Sequence, residues 1–210
     1  MLGVQRYGLF VLTGILLNLT PGQDTLFIVG KSLSGGRRAG IAAALGVSAG
    51  SLCHTLAAAL GLSVVLATSV TAFRVVKWAG AAYLTYLGFR MLLKPMPVAA
   101  VPEETAVRSS PSAGFAQGII TNVLNPKVAL FFLSFLPQFV SATSPARAAS
   151  FLLLGATFIA TGMTWCLVLA VGAGRFRELA HRYPGTQRLF QQAVGLLFIA
   201  LGVHLAWASP

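Results

Sequence analysis

The sequence predicts an all-α, polytopic membrane protein in which six transmembrane helices form two inverted three-helix repeats. The first supporting observation is composition, because 56% of the 210 residues are hydrophobic and 9% are charged, with a mean hydropathy of +0.80. A soluble domain has about 25% charged residues, so this chain cannot cover a surface that faces water. The other two observations are a series of apolar segments of transmembrane length and a short motif that occurs in each half.

Six segments are apolar over at least the roughly 20 residues that a helix needs to cross a bilayer. They are residues 7–30, 40–66, 72–93, 113–140, 148–173 and 188–208. None of them alternates over ten residues, as the strands of a membrane barrel do. The first is longer than the apolar region of a signal peptide, so we expect a mature helix. The turn between the second and third spans is inferred from polar residues alone, namely Ser63, Thr68, Ser69 and Thr71.

The basic residues predict the orientation of these helices. Ten Lys and Arg lie in segments 31–39, 90–112 and 174–188, whereas the opposite side holds four, Arg6, Arg74, Lys77 and Arg147. Lys and Arg in short loops mark the cytoplasmic side of a membrane protein. We therefore expect both termini to lie outside, in a bacterial inner membrane. The net charge of +11 then reflects topology and lipid contact, and we expect no nucleic-acid partner.

A linker divides the chain into two similar halves. Residues 95–112 are rich in Pro, Ser and Thr without apolar periodicity, which predicts a cytoplasmic linker between repeats 1–94 and 113–210. Three spans per half force the second half to insert upside down relative to the first. The halves share a motif, in which Gly14, Asn18 and Pro21 correspond to Gly118, Asn122 and Pro126. Inverted repeats of this kind are common in secondary transporters, whose sites lie where broken helices meet.

The two prolines predict breaks in the first and fourth helices. Pro21 lacks an N–H and Gly22 adds backbone freedom, so the first helix is expected to break between Thr20 and Gln23. Asn125 precedes Pro126 and is biased away from helical geometry, which breaks the fourth. The unpaired backbone groups then need protein or a wet cavity as neighbours. Helices that restart after each proline would point their N–H groups into this cavity.

Asp24 and Lys127 are the acidic and basic residues that lie well inside the predicted spans. A charge in mid-membrane costs about 2.5–3.5 kcal/mol, so each needs a partner, water or a neutral form. The sequence leaves two arrangements open, a polar cavity shared by both side chains or a static salt bridge that joins the repeats.

Weaker candidates lie in the second span. "GVSAG", residues 46–50, matches a hydrolase motif, but Ser48 and His54 are six residues apart and face different sides of a helix. We expect close helix packing through Gly46 and Gly50, and no enzyme activity. His54 is either a proton relay or a packing residue. Cys53 and Cys166 are expected to pack, and neither a metal site nor a cofactor is expected.

Two motifs resemble a known family. The segment "LTPGQDTLFIVGKSLSGGRRAGIAAALGVSAG", residues 19–50, resembles the first signature of the LysE/RhtB amino-acid exporters, and "NPKVALFFLSFLPQF", residues 125–139, is similar to the second. The resemblance extends over the whole chain. One residue departs from the family pattern, since Gln23 stands where a second proline is common.

The resemblance implies proton-driven export of amino acids or close derivatives, of the threonine, homoserine, leucine or lysine type. The signature residues are Thr20, Pro21, Gly22 and Asp24 in the first motif, and Asn125, Pro126 and Lys127 in the second. With Asn18, Gln23 and Asn122 they form the predicted substrate and proton site, to which Ser48 and His54 are possible additions. Asp24 would attract the ammonium of an amino acid and carry the proton, while Lys127 would hold the carboxylate. The alternative is a passive channel or an ion or metal transporter on the same scaffold, and a homodimer is possible.

Overall fold

The protein is described here by a computed structural model that covers residues 3–62, 70–93, 110–141 and 143–207. Within these residues the chain forms seven α-helices, and the only β pairing is a single bridge between Val4 and Val140. The all-α prediction is therefore confirmed. The helices are α1 (Tyr7–Leu19), α2 (Gln23–Ala57), α3 (Val70–Leu93), α4 (Pro111–Val123), α5 (Pro126–Ser134), α6 (Arg147–Arg182) and α7 (Pro184–Trp207). A π-helical turn, Ala58–Leu62, continues α2, and a 3-10 turn, Leu136–Phe139, follows α5.

Several helices have the length and composition of membrane spans. In the described residues, Gln23–Gly61 and Arg147–Phe176 are long and apolar enough to cross a bilayer. The bent pair Pro111–Val123 and Pro126–Phe139, which meet at 50°, adds a third span if it is counted as one. Many large apolar side chains point outward, as lipid contact requires, among them Leu12, Leu52, Ile120, Leu124 and Val168. The six spans and the inverted repeat stay predictions.

One segment predicted to be a loop is almost entirely helical, and the end of the predicted linker is helical too. α6 continues through Arg182, and Tyr183 is the single residue between it and α7, so the prediction of a loop over 174–188 is wrong. Arg, Glu, Leu and Ala between residues 175 and 182 favour a helix, so the charges in this segment do not end α6. α4 begins at Pro111, inside the predicted linker, whose residues 95–109 lie outside the described ranges. Of the residues that predicted a turn between the second and third spans, Ser63, Thr68 and Ser69 also lie outside these ranges, whereas Thr71 lies in the first turn of α3.

α2 contains a reversal within the predicted loop 31–39. Gly36 has φ 78° and ψ 177°, a conformation that glycine favours. A methyl group built on Gly40 would lie 3.2 Å from the Cα of Ser32, whereas a straight helix separates residues eight positions apart by about 12 Å. The chain therefore folds back at Gly36. We call residues 23–35 and 37–57 the first and second arms of α2.

Both predicted helix breaks are present in the structure. α1 ends at Leu19, Thr20 and Gly22 are extended, and the helix restarts at Gln23. α4 ends at Val123 and α5 begins at Pro126, where a missing N–H costs no helical hydrogen bond. The Asn125 side chain caps α5, because its Oδ1 accepts from the backbone N–H of Lys127 at 3.0 Å.

Glycines bring the helices together in pairs. A methyl group on Gly50 would lie 2.7 Å from the Cβ of Asn122, and one on Gly118 would lie 2.6 Å from the carbonyl of Ala43. The second arm of α2 therefore packs closely against α4, as expected from Gly46 and Gly50. α3 and α7 pack in the same way, since Gly88 and Gly195 each lie against the backbone carbonyl of the other.

The contacts between helices are reciprocal. The second arm of α2 packs on α4, while α6 packs on α1 as well as on α2. If the repeats are inverted, α6 corresponds to that second arm and α1 corresponds to α4. Two repeats related by a twofold axis would produce this exchange of partners, and their inversion stays a prediction.

Candidate functional site

The end of α1 is a contact point between the two breaks. Thr20 follows the last helical residue, so its carbonyl has no partner within the helix. Lys127 Nζ donates a hydrogen bond to this carbonyl at 2.8 Å. A methyl group on Gly22 would lie 3.4 Å from the same Nζ. Lys127, which belongs to α5, thus covers the open backbone of the first break, and Gly22 leaves room for it.

Asp24 lies in the first turn of α2, where the positive end of the helix dipole favours a carboxylate. Its Oδ2 accepts a hydrogen bond from the Asn122 side-chain amide at 2.8 Å. Its Oδ1 is buried and has no hydrogen-bond partner. A buried carboxylate oxygen needs a donor, so this oxygen can bind a ligand, a water or a proton.

Asp24 and Lys127 do not form an ion pair in this conformation. Lys127 Nζ donates to Thr20, Asp24 Oδ1 has no partner, and no nitrogen–oxygen distance of 4.0 Å or less joins the two side chains. Both nevertheless line one cavity. Of the two arrangements that the sequence left open, the structure has the shared cavity and not the static salt bridge.

The asparagine before each break is held by the opposite half of the chain. Ser51 Oγ donates to Asn122 Oδ1 at 3.2 Å, and Gly50 packs against the same side chain. Asn18 Nδ2 donates to Thr161 Oγ1 at 3.3 Å, and Gly162 packs against Asn18. Each asparagine therefore has one hydroxyl and one glycine as neighbours, which fits the correspondence of Asn18 and Asn122 seen in the sequence.

Ser48 and His54 do not form a catalytic pair. Ser48 Oγ donates to the carbonyl of Ala44 at 3.0 Å, one turn earlier in its own helix. His54 stacks on Phe132, with ring centroids 5.7 Å apart, and its Nε2 lies 3.2 Å from the carbonyl of Asn122. Ser48 lines the cavity that contains Asp24. His54 contacts the backbone of Asn122 and does not line this cavity.

The first cavity, which we call the narrow cavity, has a volume of about 40 Å³. A water needs about 10–15 Å³ of such space, and pockets for small ligands have about 300–1,000 Å³. The narrow cavity therefore has space for very few waters. Its wall contains these predicted residues: Asn18, Gly22, Asp24, Ser48, Asn122, Asn125 and Lys127.

α6 contributes a wall to the narrow cavity that was not predicted from the sequence. Ser51, which also lines this cavity, was not predicted either. The wall residues from α6 include Phe158, Gly162, Met163, Trp165 and Cys166. The Trp165 Nε1 atom is buried and has no acceptor, so this cavity has an unpaired donor as well as the unpaired Asp24 Oδ1. The indole N–H of Trp165 was the one signal in the sequence, since a Trp that is not at an interface needs a partner for that group.

A second cavity, which we call the wide cavity, lies on the other side of the breaks and has a volume of about 500 Å³. Thr20, Pro21, Gln23 and Pro126 line it. Gly22, Asn125 and Lys127 line both cavities, so they form the partition between them. The ten principal candidates predicted from the sequence are therefore distributed between two neighbouring cavities.

Sequence comparisons agree with the two motifs. A profile of the LysE type translocator family matches residues 15–209. The chain is similar to a leucine efflux protein of Salmonella typhimurium, with 31% identity over 209 residues that cover 97% of this chain and 96% of that protein. It is also similar to a homoserine/homoserine lactone efflux protein of the same organism, with 31% identity over 201 residues and 95% of each chain covered.

An uncharacterized membrane protein of Vibrio cholerae is similarly related, with 31% identity over 203 residues that cover 95% of this chain and 96% of that protein. No solved structure matches the chain. The family profile covers both helix breaks and both cavities, and the relatives are matched over nearly their full length. The chain belongs to the LysE type translocator family.

Proposed function

We propose that the protein is a secondary active exporter of amino acids or close derivatives, which works by alternating access and is coupled to protons. The observation that carries the proposal is the pair of opposite charges, Asp24 and Lys127, at the wall of one narrow cavity between two broken helices. The names of the relatives, a leucine efflux protein and a homoserine/homoserine lactone efflux protein, support a substrate of this class.

A zwitterionic amino acid complements these two charges. Its ammonium binds the unpaired Oδ1 of Asp24, and its carboxylate binds Lys127 together with the N–H groups at the start of α5. Lys127 then exchanges its hydrogen bond to the Thr20 carbonyl for one to the substrate. This exchange loosens the contact between the two breaks when substrate binds.

The size of the narrow cavity supports alternating access. About 40 Å³ does not admit an amino acid, so the walls must separate during each cycle. The two breaks are the natural hinges, since residues between helical segments can absorb a change in backbone angles. Pro21, Gly22, Asn125 and Pro126 define these hinges, while Asn18 and Asn122 hold their ends against the opposite half.

Asp24 is the proposed proton carrier. In this scheme its carboxylate binds the ammonium of the substrate in one half of the cycle and a proton in the other. Exchange of the two at a single oxygen couples outward movement of substrate to inward movement of protons.

We place the protein in a bacterial inner membrane, in contact with lipid and with both termini outside. A homodimer is the proposed assembly.

The test is counterflow of labelled leucine in vesicles that contain the purified protein. We expect Asp24→Asn to lower counterflow about tenfold or more, because it removes a charge-assisted contact to the ammonium. The residual flux is expected not to respond to a pH gradient. Glu178→Gln is the matched control, since Glu178 is an exposed acid of α6 outside both cavities. Wild-type rates and pH dependence in Asp24→Asn would overturn the assigned role.

Counterflow also separates a carrier from a passive channel. Unlabelled leucine on one side accelerates uptake of labelled leucine only if a single site faces the two sides alternately. A wild-type flux that is indifferent to unlabelled leucine on the opposite side would identify the channel alternative.

A further inference from the structure

The wide cavity has the size and position of a second substrate site. Its volume of about 500 Å³ lies within the range of small-molecule pockets, whereas the narrow cavity does not. It lies between the two breaks on one side and α3 and α7 on the other. The residues that separate it from the narrow cavity are Gly22, Asn125 and Lys127, so a molecule in it is next to the Asp24 site without touching Asp24.

The wall of the wide cavity has positive charge and no acid. Arg90 and Lys127 are its charged residues, and the other polar side chains include Tyr83, Tyr86 and Gln191. Lys127 Nζ is already bound to the Thr20 carbonyl, and Arg90 is exposed. Arg90 is therefore the cation best placed to receive the carboxylate of an incoming molecule, which it can bind with two parallel hydrogen bonds.

The rest of the wall is apolar. Leu87 and Met91 come from α3, the same helix as Arg90, and Leu130 comes from α5. Leu87 and Arg90 are three residues apart, so they lie on one face of α3. A carboxylate on Arg90 would leave an aliphatic side chain against this apolar wall. The narrow cavity, by contrast, supplies the acid Asp24 for the ammonium.

We propose that the wide cavity is a separate first binding site, which takes the carboxylate of a neutral amino acid on Arg90 before the molecule passes Lys127 to reach Asp24. This inference rests on the proposed function. Arg90 belongs to the segment that the charge distribution assigns to the cytoplasm, so the site faces the side from which an exporter loads. Two cations and no acid in the wall exclude amino acids with a cationic side chain at this step.

Kinetics on the two membrane faces test the site. We expect Arg90→Gln to raise the KM for leucine about tenfold on one face of the vesicle and to leave it unchanged on the other, since one charge-assisted contact is lost on one face only. Arg90→Glu is expected to allow lysine to compete with leucine on that face. Arg188→Gln is the matched control, because Arg188 is an exposed arginine of α7 that lines neither cavity.

A labelling experiment shows whether the site is separate. Leu130→Cys, made together with Cys53→Ser to remove an exposed thiol, places a thiol in the wide cavity. We expect leucine to slow its reaction with an anionic thiol reagent in the parent protein and in Asp24→Asn, and not in Arg90→Gln. Lost protection in Asp24→Asn would show that no separate site exists. Equal protection in all three proteins would show that Arg90 does not bind the carboxylate.

The two proposals fail in distinguishable ways. A wild-type protein without leucine counterflow contradicts the exporter. A wild-type protein with counterflow whose Arg90→Gln and Arg188→Gln variants have the same KM contradicts the first binding site alone. Equal reaction of the thiol in the wide cavity with and without leucine, in a protein that transports leucine, also contradicts the first binding site.

Discussion

At the scale of single residues, two unpaired atoms define what the narrow cavity lacks. Asp24 Oδ1 is an acceptor without a donor, and Trp165 Nε1 is a donor without an acceptor. A buried polar group without a partner costs about 1–3 kcal/mol. Both residues line the same cavity, so one molecule with a donor and an acceptor can satisfy both. An α-amino acid has both groups on one carbon atom.

Trp165→Phe tests this reading of the indole. The change removes the N–H and keeps a smaller aromatic ring, so we expect the KM for leucine to rise about fivefold to tenfold through loss of one hydrogen bond. The measurement is counterflow at varied leucine concentration. Trp207→Phe serves as control, because Trp207 is 84% exposed. An unchanged KM together with a higher unfolding temperature would show that the unpaired Nε1 only destabilises the fold and does not bind the substrate.

At the scale of helices, the site depends on the close approach of the second arm of α2 to α4. Gly50 lets the Asn122 side chain reach both Ser51 and Asp24, and Gly118 brings the backbones into contact. In a membrane such packing replaces the hydrophobic driving force that holds soluble helices together. The position of Asn122, and through it the orientation of Asp24, is thus set by the absence of a side chain at residue 50.

We expect Gly50→Ala to destabilise the protein by about 1–3 kcal/mol, the usual cost of overpacking a tight contact. A methyl group there would lie 2.7 Å from the Cβ of Asn122 and 2.9 Å from the carbonyl of Ile119. Thermal unfolding in detergent measures the effect. Gly172→Ala is the control, since nothing lies within 4 Å of a methyl group on Gly172. Equal unfolding temperatures for the two variants would contradict the packing role of Gly50.

The sequence predicted the breaks, because the loss of an N–H at Pro21 and at Pro126 is a local property of the chain. It did not predict the wall from α6. Gly162, Met163 and Cys166 are as apolar as residues that face lipid, so hydropathy carries no information on which face of α6 points inward. The contact of Lys127 with Thr20 was equally hidden, since it uses a backbone carbonyl that every residue has.

At the scale of the whole molecule, the two ends of the site differ. The wide cavity has the exposed residues Tyr86 and Arg90 in its wall. The opposite end is closed by an aromatic cluster, in which Phe10 packs on Phe139 with ring centroids 5.3 Å apart. The chain before α1 seals this end further, because Gln5 N–H donates to the Phe139 carbonyl at 2.8 Å and Ser141 N–H donates to the Gly3 carbonyl at 2.9 Å.

A disulfide across this closed end should arrest transport. Val4 and Val140 form an isolated antiparallel bridge, in which opposed Cα atoms lie about 4.5–5.5 Å apart, within disulfide range. In a Cys53→Ser background, we expect oxidised Val4→Cys/Val140→Cys to lose counterflow and to recover it on reduction. Each single cysteine variant is a control that oxidation leaves active. Full counterflow in the cross-linked protein would mean that this end does not open during the cycle.

Gly22 has a consequence for the direction of transport. The offset of 105 that aligns Pro21 with Pro126 places Gly22 opposite Lys127 and Ala129 opposite Asp24, so the two charges have no counterparts in the other half. Gly22 is also the residue whose missing side chain makes room for Lys127 Nζ. On the predicted repeat, a scaffold with similar halves therefore carries an unlike pair of charges. In the proposed alternating-access mechanism, the inward-facing and outward-facing forms then differ in chemistry, and we expect them to bind the same amino acid with different affinities.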